Sequence, residues 1–306
     1  MNKFSIYSFY RFVNVENKIN IKKVFDLYFK NKLVRGTILL ADEGINGSIA
    51  SDKKSLDETV IFIKKQLKIR KINIKKNHVD FLPFNKLKVR LKKEIVTLGI
   101  NKLKNFDGNY LPPSEWNSFM LNKKTKIIDV RNNYEIEIGT FKNAINPKTK
   151  TFRDFPSQFS KLKINKTDTI GIYCTGGIRC EKAANYLSLI GYRNVYQLEG
   201  GIINYLNHKK KSNLKSNWIG ECFVFDDRVS INKNLDKGKY YQCYGCRSAI
   251  THEEMQSRNY KKGIYCPKCY NLRSEKQIKS SEARQKQIEL NRKRKVKDKF
   301  QKIYSL

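Results

Sequence analysis

Two groups of residues in this chain have the types and spacing to do chemistry. The first is Cys174-Thr175-Gly176-Gly177-Ile178-Arg179-Cys180, a cysteine followed by two glycines and an arginine. Thr169 to Tyr173 is β-branched and aromatic, as in a buried parallel strand, and Ala183, Ala184, Leu187 and Ile190 recur at helical spacing. The Cys174 sulfur is therefore expected between a strand end and a helix start, where unpaired backbone N–H groups and the helix dipole favour an anion. Gly176 and Gly177 let successive N–H groups turn toward one centre, and Arg179 adds a permanent positive charge. Both lower a thiol pKa, and the thiolate is the nucleophile. A buried structural cysteine is the plainer alternative, but packing alone calls for neither the Gly-Gly turn nor the arginine. For Cys180, in the first helical turn, packing and a resolving-thiol role both stay open.

The second group is Cys243-x2-Cys246 and Cys266-x2-Cys269, with 19 residues between the pairs. This is the spacing of a four-thiolate zinc site, with Tyr244-Gly245 and Pro267-Lys268 making the turns; the alternative is reduced knuckles packed without metal. Asp226-Asp227-Arg228 reads as a salt-bridged turn rather than a catalytic carboxylate pair. Only three histidines exist, His78, His208 and His252, and they form no recognisable two-histidine, one-carboxylate iron set. A flavin or nicotinamide fingerprint is also missing.

Positioning these groups takes more than one core. At 306 residues the chain should form two or three domains. The reading is an α/β multidomain protein. In order, Ser5 to Val13 is a strand, Ile21 to Phe29 a helix, Gly36 to Ala41 and Ile45 to Ala50 a strand pair, Ser55 to Leu67 a helix, and Ile69 to Ile74 a strand. That βαββαβ order is a ferredoxin-like or acylphosphatase-like α+β module, assigned to residues 1–104, with Leu87 to Leu91 in a basic edge strand. Residues 105–113 read as a turn-rich linker, and Ser114 as the N-cap of the next helix. Residues 114–214 alternate strands and helices around a parallel sheet that carries Cys174. Glu221 to Phe225 is a further strand in a cysteine-rich region, 215–272, and residues 273–306 form a mobile or weakly helical basic tail with twelve Lys or Arg against four Asp or Glu.

The formal net charge of +35 suggests a polyanion such as nucleic acid, discounted because lysine is overused throughout the chain. No stretch reaches the roughly 18 apolar residues of a membrane span, and no signal-peptide order opens the chain. The expectation is a soluble cytoplasmic protein with no membrane contact and no obligate protein partner. An odd cysteine count, seven, fits metal binding plus a reactive thiol better than a disulfide framework.

Asp129-Val130-Arg131 with Glu135, Gly139 to Pro147, Cys174-x4-Arg179 and Leu198-Glu199-Gly200-Gly201 resemble the rhodanese domain, whose cysteine carries persulfide sulfur. The resemblance implies that Cys174 is catalytic, that Thr175 to Arg179 form its anion-binding loop, and that Asp129, Arg131, Glu135 and Cys180 support it. Together with Gly36 to Ala50, Trp218 to Arg228 and the terminal cysteines, the chain up to about Leu272 is similar to bacterial rhodanese-domain tRNA hydroxylases. That family oxidises wobble uridine-34 to 5-hydroxyuridine with O2, which implies tRNA as partner and O2 as cosubstrate with an unidentified electron donor; the zinc expected from the cysteine spacing would be structural. A sulfurtransferase explains the cysteine loop but not the flanking regions, and a noncatalytic RNA-binding protein explains the charge but not the loop.

Overall fold

A computed structural model describes residues 3–100, 108–212 and 215–293. The N-terminal unit runs β1 (Phe4–Phe12), α1 (Lys18–Phe29), β2 (Arg35–Ala41), β3 (Gly44–Ser51), α2 (Lys53–Gln66), β4 (Asn73–Val79) and β5 (Leu87–Leu91). Its sheet order is β4-β1-β3-β2-β5, with only the β2–β5 pair parallel. Phe25, Leu56 and Ile63 of the two helices pack with Ile38, Leu40, Ile45 and Ile49 of the central strands in one core. The expected α+β module is thus present, with one strand displaced. Lys68 adopts a left-handed φ of 53°, so the chain reverses directly after α2, and Ile69 and Ile72 plug the core edge instead of pairing. Asn73–Val79 forms the strand because it aligns with β1, from Tyr10↔Asn73 to Phe4↔Val79, although its side chains are mostly polar.

The second unit contains β6 (Asn109–Leu111), α3 (Pro113–Leu121), β7 (Thr125–Asp129), α4 (Asn133–Ile136), β8 (Gly139–Phe141), α5 (Phe155–Phe159), β9 (Thr169–Tyr173), α6 (Ile178–Leu189), β10 (Val195–Leu198) and α7 (Gly201–Ser212). The sheet β6-β10-β9-β7 is all parallel and covered on both faces. Strand alternation sorts the core: Ile128, Ile170 and Ile172 pack against α5 and α6, while Ile127, Tyr173 and Leu198 meet Trp116, Ile202 and Tyr205. Residues 109–111, read as linker, form edge strand β6; residues 101–107 lie outside the described residues. Pro112 rather than Ser114 caps α3, with Pro113 in the first helical position, where its missing N–H costs nothing.

After α7 come β11 (Trp218–Gly220), β12 (Cys222–Phe223), β13 (Ser230–Ile231), β14 (Tyr241–Gln242), β15 (Ala249–Ile250), α8 (His252–Met255) and α9 (Glu275–Lys293). The stretch 221–225, read as one strand, is broken. Gly220 at φ +77° turns the chain after β11 pairs with β8, so β12 starts afresh against β13. The tail through Lys293 is an ordered helix. Ser281 is buried, Arg284 donates to the Gly263 carbonyl at 2.7 Å, and Lys261 pairs with Glu282 at 2.7 Å. These contacts, rather than apolar periodicity, hold it; the basic run beyond Lys293 lies outside the described residues.

A strap after β5 joins the first two units. Leu98 enters the second core, and Lys182 of α6, almost fully buried, reaches Glu94 at 2.5 Å and Glu43 at 2.8 Å.

Candidate functional site

Cys174 directly follows β9 at 1% exposure, and α6 begins four residues later. Gly177, at φ +101°, turns its N–H inward to donate to Cys174 Sγ at 3.1 Å. The far side of the loop is clamped by α7, whose Ile202 and Ile203 N–H groups donate to the carbonyls of Cys174 and Thr175 at 3.0 and 3.2 Å. A Cβ on Gly201 would lie 2.4 Å from the Cys174 oxygen, so only glycine lets α7 approach this closely. Nothing lies within 4 Å of where a Gly176 Cβ would stand, and the loop is open there.

Burial raises the Cys174 pKa, but the Cys180 thiol, the charge of Arg179 and the N–H groups of Cys180 and Gly177 together bring it down to about 5. The sulfur is a thiolate at neutral pH. Cys180 is its mirror image, held well above an ordinary thiol by burial and by its hydrogen bond to Cys174. It is a donor to the thiolate, which favours a supporting role over that of a second nucleophile.

Arg179 does not grip the sulfur. Its two terminal nitrogens donate to Glu135 at 2.6 and 2.7 Å, so it acts on Cys174 through charge. Glu135 is fully buried; burial opposes its ionisation, and Arg179 overrides this and lowers its pKa. The Asn132 N–H also donates to Glu135, at 3.2 Å. Thr175 Oγ1 lies 3.5 Å from Glu135 and 3.4 Å from Arg179. Asp129 and Arg131 form a separate, fully buried pair at 2.6 Å. Arg131 reaches the carbonyls of Gly139 at 2.6 Å and Glu135 at 3.4 Å and fixes the segment that presents Glu135. The supporting residues thus make a relay: Asp129 holds Arg131, Arg131 places Glu135, Glu135 holds Arg179, and Arg179 biases Cys174. Ile178 opens α6 with its N–H in the first turn.

Sequence patterning did not reveal the wall that the N-terminal unit contributes. Tyr10, Arg11, Asn73, Lys75, Tyr110 and Glu181 line a cleft of about 380 Å3 beside the cysteine loop. Tyr10 donates to Glu181 Oε1 at 3.0 Å, joining the two units across the cleft, and Tyr110 of β6 donates to Oε2 at 2.8 Å within the second unit. The Tyr10 hydroxyl is also 3.0 Å from where a Gly177 Cβ would stand. Burial lowers the Lys75 pKa, opposed by Cys174, Glu181 and Glu199, and its ammonium sits 5.8 Å from the Tyr10 ring centre. In β1 nearly every side chain is covered, so alternation alone could not single out Tyr10.

Cys243, Cys246, Cys266 and Cys269 converge, all four sulfurs within 4.8 Å of one another. The Cys243–Cys269, Cys246–Cys266 and Cys266–Cys269 separations are each 3.9 Å. A tetrahedron with zinc–sulfur bonds of about 2.3 Å has edges of about 3.8 Å, so this set can hold a metal such as zinc. Two tight turns deliver it: Arg247 N–H to the Cys243 carbonyl at 2.7 Å, and Cys269 N–H to the Cys266 carbonyl at 2.9 Å. Asp226 and Arg228 form the expected salt-bridged turn, 2.7 Å apart.

Among the described residues no helix is long and apolar enough to cross a membrane. In solved structures the chain is similar to a rhodanese-related protein from Thermoplasma volcanium, 21% identical over 33% of this chain and 92% of that one, with a TM-score of 0.28. It is also similar to a rhodanese-like domain protein from Staphylococcus aureus, 26% identical over 32% of this chain and 90% of that one, with a TM-score of 0.28. Residues 4–95 match the UPF0176 acylphosphatase-like domain, and residues 113–208 match the rhodanese-like domain. The thiolate loop lies within the second match and Tyr10, Arg11 and Lys75 within the first, so the chain joins a UPF0176 acylphosphatase-like domain to a rhodanese-like domain.

Proposed function

We propose that this chain is a cytoplasmic tRNA-modifying oxidoreductase that hydroxylates wobble uridine-34 to 5-hydroxyuridine with O2, using Cys174 as thiolate or persulfide. One observation carries the reading: the Cys174 sulfur, its pKa lowered to about 5, lies beside a cleft lined by Tyr10, Arg11 and Lys75 of another domain and by the exposed ring of Tyr110. Moving one sulfur atom between small molecules does not require that wall. A nucleotide in a polyanionic chain does have uses for it, as rings to stack on and cations beside its phosphates.

In this scheme Cys174 sulfur forms a bond to C6 of the uracil, and the electron pair displaced from the C5–C6 double bond makes C5 nucleophilic. C5 takes one oxygen atom of O2. The other leaves as water, with two electrons and two protons from an external donor. Loss of the C5 proton and departure of the thiolate from C6 restore the double bond. The Gly177 and Cys180 N–H groups, the Cys180 thiol and the charge of Arg179 stabilise the thiolate before attack and after departure. Glu181, whose pKa is raised by burial, is a carboxyl group in the cleft wall that can hold a proton.

A second reading, sulfur transfer to a small acceptor or to tRNA, draws on the rhodanese-like match. The product separates the two. Nucleoside analysis of tRNA from cells lacking the protein should show the loss of 5-hydroxyuridine and its derivatives, restored by wild type and by Cys180→Ser to a substantial extent, but not by Cys174→Ser. Loss of a thiouridine instead would establish sulfur transfer.

A further inference from the structure

A second surface lies on the Arg179 side of the loop, away from the cleft. Phe225 is 63% exposed although it follows the buried Phe223 and Val224. Its ring packs edge-on against Phe223 at 5.3 Å and lies 5.9 Å from the Arg179 guanidinium carbon, leaving one face open. A single exposed apolar ring is ordinary on a protein surface; what sets Phe225 apart is its place over Arg179 of the cysteine loop.

Asp226 and Asp227 follow Phe225, the first paired with Arg228 at 2.7 Å, whereas the outward charges of β5 are all positive. Lys86, Lys88 and Arg90 project from the outer face of β5, while Leu87 and Val89 point into the core. The Asp227 N–H donates to the Pro83 carbonyl at 3.1 Å, which sets the turn after Phe225 against the segment leading into β5, and Arg247, at φ 70° in the first cysteine turn, contributes after burial, Arg90 and Lys86 to lowering the Lys88 pKa. Arg247 also acts on Tyr134, whose ring packs against Phe223 at 5.2 Å. No described carboxylate forms a salt bridge with Lys86, Lys88, Arg90 or Arg247. Lysines on an edge strand serve to block aggregation, but that role accounts neither for Arg247, which comes from a different domain, nor for Phe225. Cations tracking a backbone beside an exposed ring are what a single-stranded polynucleotide binds.

We propose that Phe225, Arg247 and the basic face of β5 form a docking surface for single-stranded RNA, on which a loop base stacks on Phe225 while flanking phosphates lie along Lys86, Lys88, Arg90 and Arg247. The inference rests on the tRNA reading above and assigns it a surface built from three parts of the chain. The four-cysteine region thereby gains a role in presenting Arg247.

Full-length protein is titrated with an anticodon stem-loop RNA carrying a fluorescent base analogue in the loop, across a salt series. Phe225→Ala should weaken binding by about tenfold or more with an unchanged salt slope. Phe225→Trp should retain affinity and show quenched indole fluorescence on binding. Joint Lys88→Gln and Arg247→Gln should instead reduce the salt slope by about 1.4, two single-strand phosphate contacts' worth. Wild-type affinity and slope in all variants, with tight stem-loop binding retained, would overturn the surface while leaving the tRNA reading intact. A wild-type protein that binds the stem-loop no better than duplex DNA of equal charge would overturn the tRNA reading itself. Equal binding of an acidic polypeptide, indifferent to Phe225, would assign the surface to a protein and also overturn the proposal.

Discussion

Removing the Cys180 thiol isolates what makes Cys174 reactive. Of the contributions that offset burial and bring Cys174 to about 5, the hydrogen bond from Cys180 is the largest. A hydrogen bond to a charged group contributes about 1.5–3 kcal/mol, and one pKa unit corresponds to about 1.4 kcal/mol. Cys180→Ala should therefore raise the Cys174 pKa by about one to two units, to about 6–7. It should not reach the ordinary thiol range, because the Gly177 N–H at 3.1 Å and the charge of Arg179 remain. Cys180→Ser keeps a hydroxyl donor and should shift much less. The measurement is the pH dependence of Cys174 alkylation by iodoacetamide, followed on the Cys174 peptide by mass spectrometry, with ultraviolet thiolate absorbance referenced to Cys174→Ser. A midpoint still near 5 in Cys180→Ala would refute the reasoning and leave the backbone nest and Arg179 as the sufficient cause.

Other outcomes follow from the same geometry. Because the folded Cys174 pKa is depressed, its contribution to stability is fully present above the unfolded thiol value and is lost as pH falls through about 5. The difference in unfolding free energy between wild type and Cys174→Ser should accordingly grow with pH between those limits, as denaturant titrations would reveal. Glu135→Gln leaves Arg179 buried without its carboxylate and should cost about 3–5 kcal/mol at neutral pH, measured by the same titrations. Metal analysis of protein purified without chelator should find one zinc per chain, and chelation should expose Cys243, Cys246, Cys266 and Cys269 to alkylation and loosen α9, measured by hydrogen exchange.

The sequence carried the local chemistry well because local chemistry is what short spacings encode. The Gly-Gly turn places the Gly177 N–H on the sulfur, and the C-x2-C pairs bring four thiols to tetrahedral separations. Arg179 was legible as a charge but not as a partner. Its fork closes on Glu135, 44 residues earlier, and nothing in the spacing distinguishes that contact from one with the sulfur. Strand β4 was read a few residues too early because an edge strand is specified by its register with β1 more than by apolar composition, while Ile69 and Ile72 serve the core without pairing. Helix α9 has its apolar residues out of step and is held by polar contacts such as Arg284 to the Gly263 carbonyl. The Tyr10, Lys75 and Tyr110 wall exists only once two domains meet. Composition contributed little, since an excess of lysine spread over every element does not say which lysines face a partner.

The central claim is that Cys174 supports insertion of oxygen into a tRNA base. Purified protein, unmodified tRNA and a reducing system should be incubated under isotopically heavy O2, and the wobble nucleoside analysed by mass spectrometry. The account predicts 5-hydroxyuridine-34 carrying one heavy oxygen atom, none under anaerobic conditions and none with Cys174→Ser. Thiouridine, or hydroxyuridine whose oxygen comes from water alone, would contradict it.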